Sequence, residues 1–355
     1  MNRRFSGILA ASLMILTIAG CGGNNQAQPP DAANDGNQAE APVEAKQRII
    51  RAGIGLNDQH PQYKGLLRFK EIVEAESNGA IKVETYHSGQ LGDDRTMMEA
   101  LQLGTQEMTI PSTAPIGNFV TDFTVFDIPF LMPSEEVADK VLLESEIAQQ
   151  LLDKLPAQNL IGLTYWENGF RNLTNNVRAV GTASDFKGLK IRTMENQLHL
   201  AAFKALGANP TPMAFSELFT ALQQGTVDGQ ENPIATIYLQ KFYEVQKHIS
   251  LTKHVYSPFV VMLSKKFWDD STPEQQELLK RAALEAGTLE RQLNREANEQ
   301  YLTELKAEGM TVTEISPEAR AELESIIVPI VDQFADNIGK DTVEKVRAAI
   351  TEASQ

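Results

Sequence analysis

The stretch KGLKIRTMENQLHLAAFKALG (187–207), continued by ANPTPMAFSELFTALQQGTVDGQENP (208–233), decides the fold. Lys190 to Thr193 is a short β-rich run. From about Asn196 to Leu206 the apolar residues fall at helical spacing, and Gly207 stops them. Working outward, the same alternation recurs. Ile49–Gly53, Ile81–Tyr86, Met108–Ile110 and Leu160–Tyr165 read as strands. Between the first two, Pro61 opens a helix with Leu66, Phe69, Ile72 and Val73 on its apolar side and Gly79 as its stop. Ser134, followed by Glu135 and Glu136, caps another, with acids suited to the positive helix end. Short strands alternating with amphipathic helices predict an α/β fold with a largely parallel sheet. No unit of 20 to 50 residues repeats, which excludes a solenoid or propeller. After a strand-like Val255–Leu263, Pro273 opens a helical run to about Glu308 that only Gly287 interrupts. It is either one helix on the order of 50 Å long, a spine shared by two lobes, or two helices broken near Gly287.

A chain of 355 residues, 42% hydrophobic and 22% charged, is long enough for a sizeable core and two lobes. Its formal charge of -15 argues against nucleic acid as partner, since phosphate binding needs a basic face. The same charge disfavours adsorption to an anionic lipid surface. Arg3 and Arg4 followed by the apolar run Ile8–Ala19 form an export signal over residues 1–20, too short to span a bilayer. Ile18-Ala19-Gly20-Cys21 resembles the lipobox of bacterial lipoproteins, which implies lipidation at Cys21 and an extracytoplasmic, membrane-anchored protein. The alternative is a cleaved signal with an incidental cysteine. Cys21 is the single cysteine, so no intrachain disulfide exists. Residues 21–47 hold no aromatic and only Val43 as a β-branched residue, the composition of a disordered tether.

The usual catalytic and nucleotide signatures do not occur. Gly53-Ile54-Gly55 is followed by Asp58 where a dinucleotide site needs glycine or alanine, and there is no phosphate loop. A Gly-x-Ser-x-Gly elbow and a His-Glu-x-x-His run are absent, and His60, His87, His199, His248 and His254 are scattered. No cofactor and no metal is expected. Arg171, after a strand and in a glycine-bearing bend, and Arg192, at the end of another strand, are the candidates for chemistry. Ligands of open α/β sheets bind beyond the carboxyl ends of strands, and a guanidinium fork suits a carboxylate there. A surface salt bridge is the other reading of each. Phe215 and the amide-rich Gly229–Pro233 lie nearby in sequence.

The ordered set Lys187–Arg192, Leu206–Leu218, Ala221–Gly225 and Val227–Pro233 resembles the central signature of TRAP transporter solute-binding proteins. Gly89-Gln90-Leu91-Gly92, Phe126–Phe130 and Tyr243–Lys247 add supporting matches. The resemblance implies a two-lobed, periplasmic-binding-protein-like fold with discontinuous lobes and a long C-terminal helix spanning both. Lobe one takes 48–169 and 258–297, and lobe two 170–257 and 298–355. It implies a binding protein rather than an enzyme, closing on a small organic acid, a C4-dicarboxylate or a sugar acid such as a uronate. The acid passes to the small and large subunits of an ion-gradient-driven membrane permease. Arg192 matches the principal carboxylate-holding arginine, Arg171 a second ligand-side arginine, Asn232 the orienting amide and Phe215 an aromatic packed on the ligand. Ser112 and Glu195 fall where selectivity varies; the neutral Ser112 departs from the sialic-acid branch, which is acidic there. A ligand sensor for a membrane signalling partner would carry the same site, whereas a secreted enzyme would need the catalytic signature this chain lacks.

Overall fold

The computed structural model describes residues 47–355; the export signal, Cys21 and the tether up to residue 46 lie outside the described residues. Among the described residues, nine strands form one mixed sheet. They are β1 (Arg48–Gly53), β2 (Ile81–Tyr86), β3 (Met108–Thr109), β4 (Leu160–Asn175), β5 (Lys190–Thr193), β6 (Asn209–Pro212), β7 (Gly229–Asn232), β8 (His248–Ser264) and β9 (Thr311–Glu314). The order is β2-β1-β3-β8-β4-β7-β5-β6, with β9 on β8.

The two flanks are the parallel units that the sequence predicts. On one, β1 pairs in parallel with β2 and β3; on the other, β5 pairs in parallel with β6 and β7. Each flank buries its own apolar face. Ile50, Ile81 and Val83 pack against Leu66 and Phe69 of the Pro61–Glu76 helix, and Ile191 packs with Leu198 and Phe203 of the Gln197–Ala205 helix.

The centre departs from the expectation of a largely parallel sheet. β4 and β8, 16 and 17 residues long, run antiparallel to each other through both flanks. The sequence signals end β4 at Tyr165, with Gly162 inside it and Gly169 in a bend that follows. In the structure these are irregularities, with register shifts at Gly162/Thr164, Glu167/Gly169 and Arg171/Leu173. A bulge bends a strand without ending it, and Gly169, at φ 104°, takes a conformation that a side chain would strain. Pro258 of β8 sits opposite Glu167, at the same bulge, where an imino acid is tolerated. The strand thus starts in one flank, bends, and finishes in the other.

The long helix is unbroken. Pro273–Ala307 spans 35 residues, capped by Thr272 and Gln275 in a reciprocal box. Gly287 does not stop it because it answers a packing need. A Cβ there would stand 2.6 Å from Trp166 Nε1, and that fully buried indole donates to Ala283 O at 2.9 Å.

Candidate functional site

A cavity opens where the two flanks meet. Its walls come from the segment after β1 (Gly55, Leu56, Gln62), the start of the Asp94–Leu103 helix (Asp93, Asp94, Arg95), Ser112, and Asn168 of β4. The other flank contributes Arg192, Glu195, Phe215, Asn232 and Thr236. About 70 Å³ of it is open to a water-sized sphere, several times what one water needs and enough for part of a small polar ligand.

Arg192 lies in the buried stretch Ile191–Thr193 of β5 and is 2% exposed. Its Nε and Nη2 both donate to Met213 O, at 2.9 and 2.6 Å, so the backbone of the loop after β6 fixes the guanidinium plane. Nη1 has no partner among the described residues. Burial pushes the Arg192 pKa down to about 10, against the pull of Glu231, so the group remains a cation at neutral pH. The Phe215 ring lies 5.9 Å from its Cζ, a cation–π distance. A fixed, buried guanidinium with one free nitrogen calls for an anion, because a buried charge without a partner is costly.

Asn232 closes β7. Its Oδ1 accepts from Arg171 Nη2 at 3.2 Å and its Nδ2 donates to Gln230 Oε1, which fixes the amide. Arg171 lies inside β4, not in a bend, and is fully buried and absent from the cavity lining. Its fork grips the Glu231 carboxylate through Nε and Nη2, and Nη2 also donates to Glu231 O at 2.6 Å. Burial would raise the Glu231 pKa, but Arg171 and His254 hold it well below the usual carboxylate range. The pair is a buried ion pair behind the site, and it reaches the cavity through Asn232.

Ser112 precedes the Thr113–Ile116 turn of helix; its N–H donates to Asp94 Oδ2 at 3.1 Å and its hydroxyl accepts from Asn168 Nδ2 at 3.4 Å. Glu195 stands at the rim, its Oε2 3.7 Å from Arg95 Nη1, while its carbonyl accepts from Asn118 Nδ2 at 2.8 Å. The structure therefore brings Arg192, Asn232, Phe215, Ser112 and Glu195 around one cavity and sets Arg171 behind it.

Sequence reasoning missed Asp94, Gln62 and Asn168. Burial pushes the Asp94 pKa up to about 6, against the Ser112 N–H that favours its charged form. Gln62 donates through Nε2 to Ile110 O at 2.8 Å, leaving Oε1 without a partner, and Asn168 Oδ1 is likewise unpaired. Asp94 stands two residues after Gly89-Gln90-Leu91-Gly92, and Asn168 adjoins Gly169, so both were in reach of motifs already in view. Gln62 carries no such signal. Among the described residues no three His, Cys, Asp or Glu side chains gather as a metal site, and no helix is long and apolar enough to cross a membrane.

Comparison with known proteins identifies the family. Residues 52–337 match the DctP family, described as bacterial extracellular solute-binding protein, family 7. A solute-binding protein of Verminephrobacter eiseniae is 41% identical over 305 residues, 86% of this chain and 90% of that one. The C4-dicarboxylate-binding periplasmic protein DctP of Rhodobacter capsulatus is 38% identical over 313 residues, 88% of this chain and 93% of its own. The crystal structure of the sugar acid binding protein DctPAm from Advenella mimigardefordensis, in complex with galactonate, superposes with a TM-score of 0.85. It is 46% identical in sequence and covers 87% of this chain and 100% of that one. The fold of two strand flanks on a shared antiparallel pair, the buried arginine in the cleft between them and these matches lead to one conclusion: the chain belongs to family 7 of the extracellular solute-binding proteins, the receptors of TRAP transporters.

Proposed function

We propose that this receptor holds its ligand by a carboxylate on Arg192, with Asn232 orienting the second oxygen and Phe215 covering the ligand's apolar side. One observation carries the reading. The Arg192 guanidinium is buried and pinned to Met213 O, and its one unpartnered nitrogen belongs to a cavity-lining residue. A carboxylate entering such a place loses its water. That loss is offset when guanidinium and amide satisfy its oxygens in a low-dielectric site. Arg171 acts one step back, fixing Asn232 through Nη2.

Capture proceeds by closure of two lobes, 48–169 with 258–297 and 170–257 with 298–355. The bulge at Glu167/Gly169, facing Ser257 and Pro258, supports a division at these crossings. Ligand shifts the balance toward the closed form because it touches both walls at once, and only differential affinity drives such a shift. The closed receptor then hands the acid to its membrane permease without chemical turnover. Lipidation at Cys21 and the 21–47 tether keep it at the membrane; covalent lipid adds affinity with each buried methylene.

A thermal-shift screen of residues 48–355 against C4-dicarboxylates, aldonates, uronates and keto acids tests the reading. Ligand at 100 times its dissociation constant adds about 2.7 kcal/mol of stability. A shift with one acid class that vanishes in Arg192→Ala is expected. Folded, ligand-free protein that shifts with no carboxylate sinks the proposal.

A further inference from the structure

Arg192 accounts for one end of the ligand; the other end meets a different chemistry. Gln62 is 1% exposed and Asn168 3% exposed, and both line the cavity. The Gln62 amide is locked by Nε2 on Ile110 O, so its Oε1 is fixed as an acceptor with no donor among the described residues. Asn168 spends Nδ2 on Ser112 Oγ and leaves Oδ1 in the same state. Asp94 adds a carboxylate, of which Oδ2 takes the Ser112 N–H. A carboxylate at neutral pH brings only acceptors, whereas a hydroxyl brings a donor.

Charge points the same way. Asp93, Asp94 and Glu195 line the cavity against two cations, Arg192 and Arg95. Arg95 is engaged by Glu99 at 3.1 Å and Glu195 at 3.7 Å, which leaves Arg192 as the cation for the ligand. A second carboxylate on the ligand would meet acids and acceptors. Like charges set against each other suppress a partner.

Resting on the carboxylate reading above, we propose that the cavity selects a polyhydroxylated monocarboxylate over a dicarboxylate, with Gln62 Oε1, Asn168 Oδ1 and Asp94 taking hydrogens from ligand hydroxyls. A site built to hydrogen-bond a hydroxyl rejects the analogue without it, because its buried polar groups stay unpaired.

The test is titration calorimetry of the receptor with acids of matched chain length. Erythronate, butyrate and succinate form a four-carbon set; galactonate and adipate form a six-carbon pair. The hydroxylated acid of at least one set is expected to bind roughly tenfold or more tighter than its unhydroxylated partners. Asp94→Asn is expected to narrow the gap between hydroxylated acid and diacid several-fold, since it removes the opposing charge. Succinate or adipate binding as tightly as the hydroxy acid, with that binding lost in Arg192→Ala, overturns the selectivity while leaving the carboxylate reading standing. Failure of all five acids strikes the carboxylate reading itself, and this proposal with it. If Asp94→Asn does not fold, the matched acids on the unaltered chain decide.

Discussion

Two buried arginines 21 positions apart carry opposite duties, and substitution separates them. Arg171 neutralises Glu231 in the interior, so Arg171→Ala leaves a buried carboxylate with His254 as its one side-chain partner among the described residues. It is expected to cost about 3–5 kcal/mol of folding stability, read as a lower melting temperature. Arg192 has no carboxylate within salt-bridge distance among the described residues, and Arg192→Ala is expected to cost about 2–5 kcal/mol of ligand binding with the fold intact. Equal melting losses for the two variants would contradict this division. Asp94 adds a pH dependence. Burial raises its pKa to about 6, above its unfolded value, so it takes up a proton as pH falls through that range. A second ligand carboxylate set against it favours the protonated form further. Affinity for a diacid is therefore expected to rise from pH 8 to pH 6, and to lose most of that slope in Asp94→Asn; a flat profile in the unaltered protein would refute it. Arg192 was a sequence candidate because it follows a strand and matches the arginine of the resembled signature, with a surface salt bridge as the other reading; the structure buries it in the cavity wall. Arg171 was not separable from it, since its acid partner is 60 residues away and only the β4–β7 pairing brings the two together.

At the scale of elements, glycine decided what the sequence could and could not say. Gly287 left the sequence open between one long helix and two helices broken there; the helix is single, and Gly287 is a notch for the Trp166 indole. Gly287→Ala favours an isolated helix by about 1 kcal/mol. Here the methyl has no room, and a net loss of about 1–3 kcal/mol is expected in chemical denaturation. A gain in stability would show that the helix and β4 are less tightly packed than described. Gly169 misled in the other direction, marking a bulge that sequence takes for a strand end. β7 was unread altogether, because Gly-Gln-Glu-Asn has low strand propensity and becomes a strand only between β4 and β5. β1, β2, β3 and β5, with the helices that begin at Pro61 and Gln197, were legible because their signals are local, whereas β6, Asn209–Pro212 with two prolines, was not read as a strand.

For the whole molecule, the decisive contacts are those that join the two flanks around the cavity. His60 accepts the Gln62 N–H on Nδ1, which puts its proton on Nε2, aimed at Thr236 Oγ1 3.1 Å away. Asn57 Nδ2 donates to Leu239 O at 2.7 Å beside it, and Arg95 meets Glu195 at the rim. The first pair spans 176 residues of sequence, beyond any local pattern. These contacts favour the form in which the flanks are drawn together, so their loss raises the free energy of that form. Thr236→Val keeps the side-chain shape and removes the acceptor. It is expected to weaken ligand binding about 5–10-fold, chiefly through faster dissociation, as befits a buried hydrogen bond worth about 1 kcal/mol. Unchanged dissociation in stopped-flow traces would remove His60 from closure.

The central claim is that one guanidinium, Arg192, holds the ligand's carboxylate. Titration calorimetry of the unaltered receptor and of Arg192→Ala, using the acid that gives the largest thermal shift, tests it most directly. The account predicts single-site binding without product formation in the first, and in the second a loss of about 30-fold or more with an unchanged melting temperature, the equivalent of about 2 kcal/mol. Wild-type affinity in folded Arg192→Ala would contradict it.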